Sequence, residues 1–212
     1  MLKKLICIYI FCIATTINIW AFNQENILIE NKEYINKYAK VFNISPRLLA
    51  SIIYTEQKLN VMPGEGVLDY IFAKSGYNSS LGIAQVKINT AEWIEQQINN
   101  TQSPFYLGES ISFLIKISNS RNELINKLSD PKTNILYAAC YVAMILKIWG
   151  NELDFTSLNE IKVGITATLY TLGILDCNGK IRMPHPGAAM NVFGKSAQEF
   201  YLSFFMRKDF NN

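Results

Sequence analysis

Ser45-Pro46-Arg47-Leu48-Leu49-Ala50-Ser51-Ile52-Ile53-Tyr54-Thr55-Glu56-Gln57-Lys58-Leu59-Asn60 opens with a helix-start signal and carries one charge in an unexpected place. Ser45 suits an N-cap and Pro46 the first helical position, where a missing N–H costs nothing, so the stretch predicts a helix over 46–60. At 100° per residue Glu56 falls about 20° from Leu49, 40° from Ile52 and 60° from Ile53, on the apolar face. The Pro63-Gly64 pair ends the helix soon after Asn60, placing Glu56 near a C-terminus whose partial negative charge disfavours another. Desolvation acts in the same direction, and a carboxyl pushed toward neutrality is a candidate general acid. The plainer alternative is a glutamate at a fraying helix end, reaching water.

Outward from this stretch, helical periodicity dominates. Residues 31–42 place Tyr34, Ile35, Tyr38, Ala39 and Phe42 on one stripe. Residues 61–80 read as a long irregular segment, with Pro63, Gly64, Gly66 and Gly76, and a short hairpin within it is the one strand expectation. Residues 89–99 predict a third helix, and 107–128 a helix interrupted near Ser118-Asn119-Ser120 and stopped at Asp130-Pro131. The run from Thr133 to Trp149 has no charge before Lys147 and predicts a central helix buried on nearly all sides. A helix over 158–173 ending at Gly173, a loop over 174–193 and a last amphipathic helix over 195–206 complete the chain.

The 212 residues suffice for one domain with a real core. Half are hydrophobic and 17% charged, which excludes disorder, and no internal run reaches the length of a membrane span. The net charge of +3 comes largely from Lys3 and Lys4, so nothing points to a nucleic-acid partner. Residues 1–21, two lysines followed by an uncharged apolar run ending Ile-Trp-Ala, read as a secretory signal peptide cut after Ala21, with an uncleaved anchor as the alternative. Cys7 and Cys12 then leave with the signal. Cys140 and Cys177 remain, as a pair or as two free thiols. His185 is the single histidine, too few ligands for a zinc or haem site, and a triad resting on it lacks a nucleophile elbow. No metal and no cofactor are expected.

Three further stretches join Glu56: Ser80-Leu81-Gly82-Ile83-Ala84-Gln85, Asn134-Ile135 with Ala138 and Tyr141, and Ala167 with Tyr170, Thr171 and Gly173. Taken alone they are a turn, a capped core helix and a helix end. Together with Glu56-Gln57, and in this order, they resemble the motifs of the lytic transglycosylases of the goose-type-lysozyme-like superfamily. Those motifs are a helix-borne glutamate usually followed by serine, a Gly-Leu-Met-Gln segment, an Asn-Ile-x-x-Gly/Ala-x-x-Tyr-Leu helix, and Ala-x-x-Tyr-Asn-x-Gly. The match spans about residues 40–175. Gln57 stands where serine is common, Ala84 where methionine is common and Thr171 where asparagine is common.

The resemblance implies a mostly α, lysozyme-like domain over 22–212, with a buried central helix and a short hairpin after the helix that carries Glu56. It implies an exported enzyme of the periplasm or cell envelope, a monomer whose partner is the peptidoglycan glycan strand. Glu56 would protonate the oxygen between N-acetylmuramic acid and N-acetylglucosamine, then accept the muramic 6-hydroxyl proton to leave a 1,6-anhydro product. One carboxylate suffices for that route, unlike hydrolysis with its pair. Tyr170 would hold Glu56 by a hydrogen bond. Ser80, Gly82, Ile83, Gln85, Tyr141 and Thr171 would contact sugar. Asp69 and Glu65 stand as a second carboxylate for the alternative, a hydrolytic lysozyme on the same fold. A non-catalytic glycan-binding component of an envelope-spanning secretion or conjugation apparatus is the other alternative.

Overall fold

The computed structural model describes residues 24–59, 65–150, 160–185 and 187–210, so the expected signal segment 1–21 lies outside it. A helical lead-in over 24–30 precedes ten helices: α1 Lys32–Val41, α2 Pro46–Leu59, α3 Glu65–Lys74, α4 Ile88–Ile98, α5 Glu109–Ser112, α6 Arg121–Ser129, α7 Pro131–Trp149, α8 Glu160–Leu172, α9 Val192–Leu202 and α10 Phe204–Asp209. Among the described residues one antiparallel pair of two-residue strands, β1 Ser80–Leu81 and β2 Val86–Lys87, is the whole sheet. The class is mostly helical, as the periodicity indicates.

The central helix is α7. It starts where Asp130 accepts the Thr133 N–H at 2.9 Å and Pro131 fills the first turn. Every side chain from Asn134 to Ile145 is buried, and the helix packs against α1, α2, α4, α6 and α8. The expected stop at Asp130-Pro131 is thus also a start.

Two expectations need correction. Within 61–80, the described residues 65–74 form α3 where an irregular segment is expected. Its end is a left-handed Gly76 with the Tyr77 N–H on the Phe72 carbonyl at 3.0 Å, while the Phe72 and Tyr77 rings meet edge-on at 5.7 Å. Gly66 lies in the first turn of that helix, and Gly76 follows its end. The hairpin also lies outside 61–80 for the most part, pairing Ser80 with Lys87 and Leu81 with Val86 around the turn 82–85. The interrupted helix over 107–128 resolves into α5 and α6, with Ser120 capping α6 through the Glu123 N–H. Cys140 is buried and Cys177 exposed, both as free thiols.

The tightest crossing lies between α8 and α9. A Cβ on Gly194 would stand 2.1 Å from Thr168 Oγ1 and 2.2 Å from the Gly164 carbonyl oxygen. This contact holds α8, and so Tyr170 and Thr171, against α9, which in turn packs on α2.

Candidate active site

Helix α2 forms as its sequence demands. Ser45 Oγ accepts the Leu48 N–H at 3.3 Å, and Leu48 through Gln57 are all buried. Leu49, Ile52 and Ile53 have no exposed surface, and Glu56, on the same face, retains only 4%. The helix therefore does not fray to water at Glu56. It delivers a buried carboxyl to the wall of a cavity of about 400 Å³.

Opposite stands the turn 82–85, held from three sides by side chains distant in sequence. Gly82 adopts φ +71°, and a Cβ there would fall 2.4 Å from Asn134 Cγ and 2.5 Å from the Leu128 carbonyl oxygen, so only glycine fits. Asn134, fully buried on α7, accepts the Ala84 N–H at 2.7 Å and donates to the Leu81 carbonyl at 2.8 Å. Gln57, the residue after Glu56, donates to the Ile83 carbonyl at 2.7 Å. Tyr170 donates its hydroxyl to the Ala84 carbonyl at 2.8 Å. Gln85, at φ +48°, closes the turn onto the Gly82 carbonyl at 3.0 Å.

That last tyrosine bond corrects one expectation. The single hydroxyl proton of Tyr170 goes to the Ala84 carbonyl and not to Glu56. Glu56 nevertheless acts on Tyr170 electrostatically: burial, then the nearby Glu56 charge, then Tyr141 hold its phenol well above the ordinary range. Tyr141 lies 5.6 Å from Tyr170, ring to ring, and accepts the Ile174 N–H at 2.9 Å. Burial lifts its phenol to about 12, opposed by that hydrogen bond and by Arg182. Both rings stay neutral across the physiological range, so they offer apolar faces and polar edges to a ligand and no charge.

Glu56, Asp69, Ser80, Gln85, Tyr141, Tyr170 and Thr171 line this one cavity, together with Val86, Lys87, Thr90, Leu172 and Gly173. An adjoining hollow of about 210 Å³, reached past Asp69, Ser80 and Gln85, takes in Gly82, Ile83 and Gln57. The two make a groove with Glu56 in its wider part. Thr171 bonds to the Thr168 carbonyl at 3.0 Å and to the Asn191 amide at 3.1 Å, which fixes its hydroxyl at the rim. Asp69, the candidate second carboxylate, is carried into the groove by α3. Glu65 begins α3.

Of the residues that hold or line the site, sequence reasoning gives Gln57 only as a departure from serine, Asn134 only as part of the helix motif, and Lys87 and Thr90 no role in the site. The asparagine had a signal, since an amide inside an otherwise apolar helix must find partners. His185 is exposed against Trp149, away from Glu56. Among the described residues no group of histidine, cysteine and acidic side chains could hold a metal ion. No family model matches the chain, and no curated protein matches it closely enough to mark a relative.

Proposed function

We propose that this chain is an exported, peptidoglycan-cleaving lytic transglycosylase of lysozyme-like fold, acting in the periplasm or cell envelope. One observation carries the reading: a carboxyl held nine-tenths out of water opens onto a groove whose other wall is a backbone turn pinned by three buried side chains. Burial disfavours the charged carboxylate and so favours a group that gives up its proton only when a leaving oxygen demands it. Glu56 donates that proton to the glycosidic oxygen, and as carboxylate accepts the muramic 6-hydroxyl proton while that oxygen closes on the anomeric carbon. The nucleophile belongs to the substrate. Tyr141 and Tyr170 supply flat apolar surface for a sugar ring, with Ser80, Gln85 and Thr171 as polar contacts around it.

Asp69 favours a second reading. It lines both parts of the groove that also holds Glu56, and an inverting hydrolase needs a second carboxylate about 6.5–9.5 Å from the acid to activate water. One experiment separates the two. Purified protein is incubated with peptidoglycan and the muropeptides are weighed by mass spectrometry. Anhydro products from the wild type, none from Glu56→Gln, and retained cleavage by Asp69→Asn support the transglycosylase. Reducing-end products lost on Asp69→Asn transfer the assignment to the hydrolase. Lytic activity in folded Glu56→Gln sinks both.

A further inference from the structure

Leu172, in the wall of the Glu56 cavity, also lines a further hollow of about 320 Å³, built by the end of α7, by α8 and by the segment that follows α8. Trp149, Ile165, Leu169, Leu172 and Ala188 make its walls largely apolar. A sugar laid there would press hydroxyls against surface that offers few partners, at a cost for each group left unpaired. The chemistry proposed at Glu56 makes no use of this space.

Arg182 lines the hollow and is anchored at three points. Its backbone N–H donates to the Ile174 carbonyl at 2.8 Å, and its carbonyl accepts the Trp149 indole N–H at 2.8 Å. Its Nε donates at 3.1 Å to the carbonyl of Gly173, a residue of the groove wall. The two terminal nitrogens of the guanidinium have no hydrogen bond and no ion pair among the described residues. Asp176 and the exposed His185 line the hollow as well. Asp176 forms no ion pair with Arg182, and its Oδ1 accepts the Asn178 and Lys180 N–H at 2.8 and 2.9 Å. The charges here are close to balance, so no net field selects a ligand. What selects is a planar fork already fixed through Nε, which offers a ligand carboxylate two donors whose ordering cost is largely met beforehand.

We propose that this hollow binds the short peptide branch that the muramic lactyl group of the strand carries, with a branch carboxylate on the Arg182 fork and its methyl side chains against Leu169, Leu172 and Ala188. This assignment rests on the peptidoglycan reading, but binding is measured without cleavage. The full chain is titrated with N-acetyl-L-alanyl-D-glutamate and followed by NMR, the Trp149 indole N–H reporting on the Arg182 carbonyl that it binds. Saturable shifts centred on Trp149, Leu169 and Ala188 are expected. The diamide of the same peptide, and separately the Arg182→Gln variant, should each bind at least roughly tenfold more weakly, as the loss of one charge-assisted contact requires. Arg182→Lys should fall between, because an ammonium lacks the fork. Ala189→Trp fills the hollow from an exposed position outside the groove, so it should lose binding whether or not Arg182→Gln disturbs Gly173. No saturation, a diamide that binds equally well, the same shifts from acetate alone, or indifference to the Arg182→Gln and Ala189→Trp variants would each overturn the site. Peptide binding with no glycan cleavage by the wild type would keep the site and sink the enzyme, and cleavage with no peptide binding would do the reverse.

Discussion

Replacing Asn134 by aspartate tests whether the turn opposite Glu56 is held as described. The two side chains are nearly the same shape, so packing is conserved and only hydrogen-bonding changes. An aspartate oxygen can still accept the Ala84 N–H, held at 2.7 Å in the wild type. The donor to the Leu81 carbonyl at 2.8 Å is lost whenever the carboxyl is ionised, leaving two oxygens facing each other. Position 134 has no exposed surface, and a buried carboxyl's pKa rises by up to about 3–5 units. At 1.36 kcal/mol per unit, a three-unit rise costs about 4 kcal/mol at neutral pH, a large share of a typical 5–15 kcal/mol stability. The sign follows from linkage. The folded pKa lies above the unfolded one, so the penalty is absent below the unfolded value near 3.9, grows as pH rises through it, and levels off above the folded pKa. Below that range the protonated acid also regains a donor for Leu81. Urea unfolding of variant and wild type at pH 4 and pH 7 measures the difference at each pH. A deficit of several kcal/mol at pH 7 that shrinks below about 1.5 kcal/mol at pH 4 is expected. Equal deficits at both pH values, or less than 1 kcal/mol at pH 7, would refute the clamp.

Three other outcomes follow from the same geometry. Gly194→Ala should destabilise by about 1–3 kcal/mol despite alanine's better helix propensity, because its Cβ meets Thr168 and Gly164 at just over 2 Å; a denaturant midpoint at or above wild type would show that α8 and α9 can part freely. Tyr170→Phe should cost about 1–2 kcal/mol by orphaning the Ala84 carbonyl, and should slow glycan cleavage roughly tenfold or more as the turn drifts; full activity would mean the tyrosine is only a wall. Above pH 10 stability should fall steadily. Tyr137, Tyr141 and Tyr170 are all held above their ordinary value chiefly by burial, so the unfolded chain loses protons that the folded one keeps. Tyrosinate absorbance that reaches its full amplitude for all 11 tyrosines before the chain unfolds would contradict that.

The sequence was most legible where one residue had one physical use. Ser45-Pro46 and Asp130-Pro131 are local signals and start α2 and α7 as they should. The charge on an apolar face was readable too, because helical periodicity alone fixes where Glu56 points. Residues 65–76 are the hardest to read, because Gly66 sits inside the first turn of α3 and Gly76 looks the same whether it begins a loop or ends a helix, which only the Tyr77-to-Phe72 hydrogen bond distinguishes. Asp69, a candidate second carboxylate from its sequence position, reaches the groove because α3 aims it there, which no loop reading of 61–80 foretells. Partners were the least legible part of the site. Gln57, Asn134 and Tyr170 all converge on four consecutive residues, and nothing in a linear pattern says that an amide at 57 and one at 134 share a target.

That convergence also fixes when the groove comes into being. The three bonds that shape the turn close chain segments 26, 50 and 86 residues long. Helices form in microseconds or less from neighbouring residues, whereas closures of this span carry an entropic cost that must be met before any contact rewards it. The helices can therefore be complete while the groove has only one wall, and Glu56 then faces nothing able to orient a sugar. On refolding from denaturant, recovered ellipticity should lead recovered cleavage. Under the proposed function, a chain still in transit or caught half-assembled is inert toward the glycan, and cleavage awaits the docking of α8, the last of the three partner segments in chain order.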